Sequence, residues 1–353
     1  MITRIVKVDR SKLASAETDL SSAAEIIRNG GLVVFPTETV YGLGGDATNP
    51  EAAAKIYAAK GRPADNPLII HVATPTDAEK YTYATELYYR LAERFMPGPL
   101  TVIMRSRDVI PLNTRAGLET VAVRCPEDAV ARRLIELSER PIAAPSANLS
   151  GSPSPTSAPH VIDDMQGRVD MIIDGGECDF GLESTIVKIE DDGTLTLLRP
   201  GKITAEELSE IAEVRIAAAV TDKLAEGEKV LSPGMKYRHY APKAPVILLD
   251  GSIDFCIEYL SSIREKNIAV LCYGDDRERL EAELPDVRLY LFGRRDDAEA
   301  QAHALFSILR EADKENYDEI YAPLPEKKGI GLALYNRMIR AAAHRIIKAE
   351  GDK

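Results

Sequence analysis

Residues 50–72, PEAAAKIYAAKGRPADNPLIIHV, read as a helix, a turn and a buried strand in one sweep. Pro50 suits the first turn of a helix and alanine fills the turns after it, which predicts a helix over 50–60. PLIIHV at 67–72 is a short apolar run of strand length. Between them stand Lys60-Gly61-Arg62-Pro63 and then Asn66-Pro67-Leu68, with His71 just beyond. A segment so rich in Pro and Gly cannot be a helix interior or a central strand. Its polar side chains are therefore displayed. Two cations fixed beside a rigid turn suit a polyanion such as a nucleotide phosphate chain. A solvated basic loop is the plain alternative, and the rest of the chain decides between the two.

The same grammar extends both ways. Upstream, Leu20, Ala23, Ala24, Ile26 and Ile27 give 18–29 a helical stripe that Gly30 and Gly31 end. LVVF at 32–35 is a buried strand stopped by Pro36, and PTETVYGLGGDA at 36–47 reads as a long Thr/Gly loop. Downstream, helices are predicted over 75–81, 84–95 and 127–139. Strands are predicted near 100–105, 120–126, 142–144, 169–174, 184–189 and 195–201, with a short closing helix over 204–212. This interleaving argues for one α/β domain with a large mixed sheet over 1–212.

KVLSPGMKYRHYAPKAP at 229–245 breaks the pattern, with three prolines, a glycine and two tyrosines. Composition alone makes 213–244 a linker. Strand and helix then alternate regularly: VILLD, a helix near 252–264, IAVLCYG, a helix near 276–283, RLYLFG, a helix near 297–313, EIYAP, and a last helix over 330–348. Residues 245–353 are thus a smaller Rossmann-like domain with a parallel sheet. No G-x-G-x-x-G follows its first strand, so no dinucleotide site is signalled.

The chain of 353 residues is long enough for two cores, and 28% charged with 45% hydrophobic residues is a globular profile. Its net charge of −12 divides evenly about residue 205, so neither half is a basic nucleic-acid module. Only a local patch could touch RNA, and weakly. Cys125, Cys178, Cys256 and Cys272 form no CxxC pair and no zinc spacing, and read as thiols of a reducing compartment. The first residues carry no long apolar run, and no stretch is long enough to span a membrane. The expectation is a cytoplasmic protein.

Several loops could hold a ligand. Glycine and threonine in PTETVYGLG allow close backbone approach and hydroxyl contacts, though a plain turn has the same composition. Thr120 and Arg124 lie four apart on a strand, hence on one face, and an Arg at a strand end can hold a carboxylate in two prongs or make a surface salt bridge. Ser146, Asn148, Ser150, Ser152, Ser154 and Thr156 come after a buried strand, where hydroxyls and N–H groups can form an anion-binding concavity. Ser184 opens an apolar strand and Arg199 closes another. There is no Walker A sequence and no G-x-S-x-G elbow.

In order, FPTETVYGLG, KGRPADNPLIIHV, MPGPLT, VAVRCP, APSANLSGSPSPT, ESTIV and LRPG resemble the YrdC-like threonylcarbamoyl-AMP synthases. SPGMKYRHYAP followed by a βαβ domain resembles the long, two-domain form of that family. The resemblance implies a twisted mixed-sheet catalytic domain with a positively charged concave face. It implies a reaction in which L-threonine and bicarbonate give a carbamate that attacks the α-phosphate of ATP. The products are pyrophosphate and threonylcarbamoyl-AMP, which a partner complex uses to modify an adenosine beside the anticodon of tRNA. Carried onto this chain, the pattern puts Thr39, His71, Arg124, Ala144 and Ser184 around threonine. It puts Lys60, Arg62, Asn66, Thr120, Ser146, Ser154 and Arg199 around the nucleotide, covered by Tyr240 or, second, Tyr237.

The chemistry of these residues suits such roles. Lys60, Arg62 and Arg199 can stabilise charge that develops in phosphoryl transfer, with Mg²⁺ bridging the phosphates. No side chain is an obvious covalent nucleophile, so catalysis rests on positioning, with the carbamate as attacker. His71 contacts substrate or moves a proton. The linker becomes a lid that keeps water from a labile mixed anhydride. Two other functions compete with this one. An RNA-binding maturation factor is disfavoured by the acidic total. A carbamoyl transferase of hydrogenase maturation is disfavoured by the absence of zinc-finger cysteines and of an acylphosphatase-like segment.

Overall fold

The first element is one the sequence does not advertise. Strand β1 (Arg4–Lys7) buries only Val6, so it shows neither an apolar run nor an alternation. It belongs to a computed structural model that describes residues 1–222 and 240–349. These form two units, 1–150 with 154–222 and 151–153 with 240–349.

In the first unit, helix α1 (Glu17–Arg28) buries Leu20, Ala23, Ala24 and Ile27, and strand β2 (Val33–Phe35) is wholly buried. The long loop expected over 36–47 is corrected here. Gly42–Asp46 is strand β3, antiparallel to β2, and only 36–41 and 47 remain loop. Its glycines serve close packing rather than turning. A Cβ on Gly44 would lie 2.7 Å from Phe35 Cε1 and 2.8 Å from Ile142 Cγ2.

Helix α2 (Pro50–Lys60) starts where Asn49 accepts the Glu51 N–H and ends at Gly61 with φ +61°. Gly61 N–H bonds Ala58 O and Arg62 N–H bonds Tyr57 O, a left-handed closure that only glycine adopts without strain. The helix therefore stops at Lys60, and Arg62 leaves it in a new direction.

Strand β4 (Ile69–His71) comes next, and the helix expected near 75–81 is a 3₁₀ turn, Pro75–Lys80, with only Ala78 buried. Then come α3 (Glu86–Phe95), β5 (Leu100–Arg105), β6 (Thr120–Arg124), α4 (Ala129–Ser138) and β7 (Ile142–Ala143). Helix α5 (Ala158–Met165) is hidden in the sequence by the Ser/Pro run before it. Strands β8 (Met171–Asp174), β9 (Thr185–Ile189) and β10 (Leu195–Arg199) precede helix α6 (Ala205–Ser209). Strand β11 (Val214–Ile216) falls inside the stretch read as linker. It is half-exposed and pairs with β10, which gives it no apolar signature.

The eleven strands run β1-β8-β2-β3-β7-β4-β6-β5-β9-β10-β11, with parallel and antiparallel pairs interleaved. Helices α1 and α4 pack together over one face, in a core with Val33, Phe35, Met171 and Ile173. Ile69, Ile103, Ala122, Ile186 and Leu198 form a separate apolar floor. By the two-residue period of a strand, His71, Thr101, Thr120 and Arg124 share the face of that floor.

The second unit keeps the expected alternation. Its elements are β12 (Val246–Asp250), α7 (Ile253–Ser261), β13 (Ile268–Cys272), α8 (Arg277–Glu283), β14 (Arg288–Leu291), α9 (Ala298–Ala312), β15 (Glu319–Pro323) and α10 (Ile330–Ala341). Its sheet, β14-β13-β15-β12-β16 with β16 at Ile346–Lys348, is parallel throughout. The last strand is a correction. The helix expected over 330–348 ends at Ala341, Ala343 and His344 turn the chain at φ +49° and +64°, and β16 (Ile346–Lys348) pairs with β12.

Candidate active site

The end of α2 delivers the first group. The polar side chains expected to be displayed on and beside the KGRP turn are instead buried, Lys60, Arg62, Asn66 and His71 alike, and Lys60 Nζ donates to Ser146 O at 2.5 Å, Asn148 O at 2.7 Å and Asn148 Oδ1 at 3.3 Å. Ser146 Oγ donates to the same Asn148 Oδ1 at 2.6 Å. One ammonium thus ties the KGRP turn to the Ser/Pro loop after β7. Arg62 Nη2 approaches Asn66 O at 3.4 Å and Pro67 O at 3.3 Å, which curls the turn around its own guanidinium. Tyr57 OH donates to Asn66 O at 3.0 Å, and burial pushes this phenol up to about 12. Asn66 itself is buried, and its Oδ1 makes no hydrogen bond among the described residues. Ser154 Oγ donates to the buried Glu183 carboxylate.

The second group is made by strand register. His71 and Arg124 are partners across β4 and β6, and Arg124 and Thr101 are partners across β6 and β5. Thr101 Oγ1 meets Ser184 Oγ at 2.8 Å. Arg199 Nε donates to Ser184 O at 2.9 Å and Arg199 Nη2 to Ser184 Oγ at 3.0 Å. A register shift between Leu197 and Arg199 makes this possible, because an extra residue in a strand re-aims its neighbours. Arg199, placed with the nucleotide set by resemblance, is thereby joined to Ser184 of the threonine set. Thr120 stands at the far end of β6 from Arg124, roughly 13 Å along the strand. Ala144 N–H bonds Ile69 O at 2.9 Å, and Thr39 Oγ1 meets Thr37 Oγ1 at 2.9 Å.

Electrostatics sharpen this group. Arg124 Nη2 lies 2.7 Å from Glu38 Oε1, and both side chains are buried. Burial first, and then the charge of Arg124, hold His71 down to about 3, so its imidazole is neutral at pH 7. Its ring meets Phe35 edge to face at 6.3 Å. Buried side-chain atoms without a hydrogen bond among the described residues include both Glu38 oxygens, Asn66 Oδ1, His71 Nδ1, and Arg124 Nε and Nη2. Orphans of this kind are rare in a finished interior. Of these, Glu38, His71 and Arg124 are brought together by the ion pair and by strand register, which makes them a candidate polar site.

Sequence reasoning missed Glu38, Thr101 and Glu183, and placed Asn148 only in a candidate anion-binding loop rather than against Lys60. All four lie inside the quoted motifs, and the usable signal for Glu38 was a carboxylate in a loop otherwise rich in hydroxyls. Tyr240 belongs to the second unit, where its ring stacks on Phe306 at 5.3 Å beneath Arg337 at 5.6 Å. Tyr237 and most of the expected lid lie outside the described residues. Among those residues there is no cluster of three His, Cys, Asp or Glu, and no helix is long and apolar enough to cross a membrane.

A family model described as Telomere recombination, that of the Sua5, YciO and YrdC proteins, matches residues 25–201. A second, described as Threonylcarbamoyl-AMP synthase, C-terminal domain, matches residues 203–343. The threonylcarbamoyl-AMP synthase of Pyrococcus abyssi is 45% identical over 338 residues, covering 94% of this chain and 96% of that one. The enzyme of the same name from Bacillus subtilis is 41% identical over 342 residues, covering 96% of each. The crystal structure of P. abyssi Sua5 complexed with L-threonine superposes with a TM-score of 0.88 at 43% identity, covering 99% of this chain and 100% of that one.

Proposed function

The chain belongs to the Sua5/YciO/YrdC family in its two-domain form, the threonylcarbamoyl-AMP synthases, and on that premise we propose how its residues divide the work. The activity is synthesis of threonylcarbamoyl-AMP for the threonylcarbamoyladenosine modification of tRNA. We read it as a nucleotidyl transfer. L-Threonine and bicarbonate give the carbamate with loss of water. A carbamate oxygen then attacks the α-phosphorus of ATP, and the bond to the β-phosphate oxygen breaks as pyrophosphate leaves. No protein nucleophile is needed, so the residues bind, orient and balance charge.

Arg124 holds the threonine carboxylate, and Ser184, fixed by Thr101 and Arg199, presents its hydroxyl to the same substrate. A pocket built to pair the threonine hydroxyl rejects analogues that lack it, because its own polar groups are then stranded. His71, neutral at working pH, offers a polar ring without charge. Lys60 and Arg62 face the triphosphate, with Asn66, Thr120, Ser146 and Ser154 along the nucleotide. The fixed carbonyl cradle of Lys60 holds its charge in place before ATP arrives.

Mg²⁺ arrives on ATP. The residues fit that mode of delivery, since a metal carried by a triphosphate needs few protein ligands. Hydroxyls of Ser146 and Ser154 are the hard donors at hand, and the ion would neutralise charge on the departing pyrophosphate. A tRNA-modifying complex takes the product, and any RNA contact by this chain is weak. The four cysteines are free thiols, in keeping with a cytoplasmic setting.

The observation that carries this reading is the buried Arg124–Glu38 pair, whose atoms make no full set of hydrogen bonds among the described residues and which lies by register beside Thr101, the partner of Ser184, and His71. The test is pyrophosphate release from ATP and Mg²⁺, with L-threonine and bicarbonate supplied singly and together. Release that needs both is expected. Release from ATP alone at the same rate would sink the proposal.

A further inference from the structure

The residues assigned to threonine lack an anion. Thr39, His71, Arg124, Ala144 and Ser184 offer one cation, a neutral ring, two hydroxyls and a methyl group. Threonine enters as a zwitterion. If Arg124 takes the carboxylate, an ammonium with three N–H donors must still be buried nearby. In a pocket whose only fixed charge is positive, that burial is costly.

Glu38 supplies what is missing. It is 6% exposed, it lies 2.7 Å from Arg124 Nη2, and neither of its oxygens makes a hydrogen bond among the described residues. A purely structural ion pair looks different, because its spare lone pairs and protons are satisfied by further bonds. Here Arg124 Nε and Nη2 are equally without hydrogen-bond partners among those residues.

The backbone around Glu38 is fixed. Phe180 N–H bonds Glu38 O at 2.9 Å, and Gly181 N–H bonds Thr39 O at 3.1 Å. Thr37 Oγ1 accepts from Thr39 N–H and donates its one proton to Val40 O. With the Thr37 proton on Val40 O, the hydroxyl pair at 2.9 Å is satisfied when Thr39 O–H donates to Thr37 Oγ1, which also lies 3.2 and 3.3 Å from the N–H groups of Thr39 and Val40. Thr39 Oγ1 is left with lone pairs and no proton to give. The loop therefore offers a charged acceptor beside the guanidinium and, one residue on, a hydroxyl acceptor.

We propose that Glu38 binds the amino group of L-threonine, with Thr39 Oγ1 as a second acceptor. This rests on the synthase reading of the site. Carboxylate on Arg124 and ammonium on Glu38 make two opposite-charge pairs out of the one already present. A ligand with the carboxylate and hydroxyl but no amine leaves Glu38 as it was and gains only half of the recognition.

Calorimetry on the full chain without ATP tests this, with L-threonine and 3-hydroxybutyrate as ligands. The wild type is expected to bind threonine about 30-fold more tightly than the analogue, the scale of a charged hydrogen bond. Glu38→Gln should remove most of that preference by weakening threonine, with hydroxybutyrate changed by less than about threefold. Glu38→Asp keeps the charge that Arg124 needs but withdraws it by one methylene. It is expected to fold as the wild type does and still to lose threonine selectively. Equal loss of both ligands in the two variants would mean that Glu38 only positions Arg124, and would overturn the proposal. So would unchanged threonine binding in both. A wild type that fails to bind threonine at all overturns the parent reading as well, which separates the two failures.

Discussion

The two sheets of this chain are built from the same alternation of strand and helix, yet they finish their polar groups differently. In the second unit the buried polar side chains close on neighbours. Gln301 Nε2 donates to Arg294 O at 2.6 Å, Tyr321 OH to Glu319 Oε2 at 2.7 Å, and Arg337 Nη1 to Asn336 Oδ1 at 2.9 Å. Among the described residues that unit contributes no buried side-chain atom without a hydrogen bond, while the first unit contributes atoms of Glu38, Asn66, His71 and Arg124, and, among others, of Arg10, Arg115 and Arg132. A parallel sheet with satisfied groups is a completed body. A mixed sheet that leaves polar groups waiting in its interior has spent stability on binding.

The largest effect that could break this comparison is at Arg124. Arg124→Ala removes the proposed carboxylate clamp and leaves Glu38 buried without its partner. Threonine-dependent kcat/KM for pyrophosphate release should fall by about 100- to 1000-fold, and the melting temperature should drop too. Tyr321→Phe in the second unit is the counterpart. It should cost about 1 kcal/mol of stability, read by denaturant unfolding, and leave kcat/KM within about twofold. A large loss of activity in Tyr321→Phe would refute the contrast between the units.

Acid stability comes next. His71 is held down to about 3 in the folded chain, against an ordinary 6.5. Between those values the unfolded chain binds more protons, so this residue makes stability fall as pH drops from about 6.5 toward 3, by at most about 1.4 kcal/mol per pH unit. Asp128 works the other way. Burial pushes its carboxyl up to about 6 from 3.8, so its contribution grows as pH falls through that window. Only a difference isolates His71. The stability gap between wild type and His71→Asn should shrink as pH falls from 7 to 4. Parallel curves would show that the imidazole is not held neutral by its surroundings.

How much of the fold is legible in the sequence depends on which physics is local. Helix α2 and its glycine closure, the strands at 33–35, 100–105 and 120–124, and the parallel second sheet all announce themselves through caps and apolar runs. Strands β1, β11 and β16 do not, because edge strands bury too little to leave a pattern. The site divides the same way. Lys60, Arg62 and Arg124 stand out as cations beside turns and strand ends. Thr101 acquires meaning only when register sets it opposite Arg124, and Glu38 only when the loop folds back on the same residue.

Strand β3 is the sharpest case of a local signal that misleads. Three glycines in 42–45 look like a loop, but Gly44 is a strand residue pressed between Phe35 and Ile142. Gly44→Ala should destabilise by about 1–3 kcal/mol, since a Cβ there meets carbon at 2.7 and 2.8 Å. Gly61→Ala is strained for a different reason, its φ of +61°, with no atom within 4 Å of the added methyl. Its cost should be nearer 1 kcal/mol. Denaturant midpoints at constant m distinguish crowding from backbone strain by size. Equal costs would mean that β3 yields to the methyl group.

The smallest expected effect sharpens the comparison from the other side. Ala343 turns the chain out of α10 toward β16 with φ +49°, where an L side chain is strained, and it is exposed. Ala343→Gly relieves that strain but loosens the unfolded chain, so the net gain should be about 0.5–1 kcal/mol. The gain should be visible in thermal melting of the full chain with kcat/KM unchanged. The result bears on why the second unit tolerates such a residue at all. A sheet that closes its polar groups can absorb a strained turn without consequence for ligand binding. If Ala343→Gly instead altered threonine-dependent turnover, the turn into β16 would be tuned for function, and the second unit could no longer be described as merely complete.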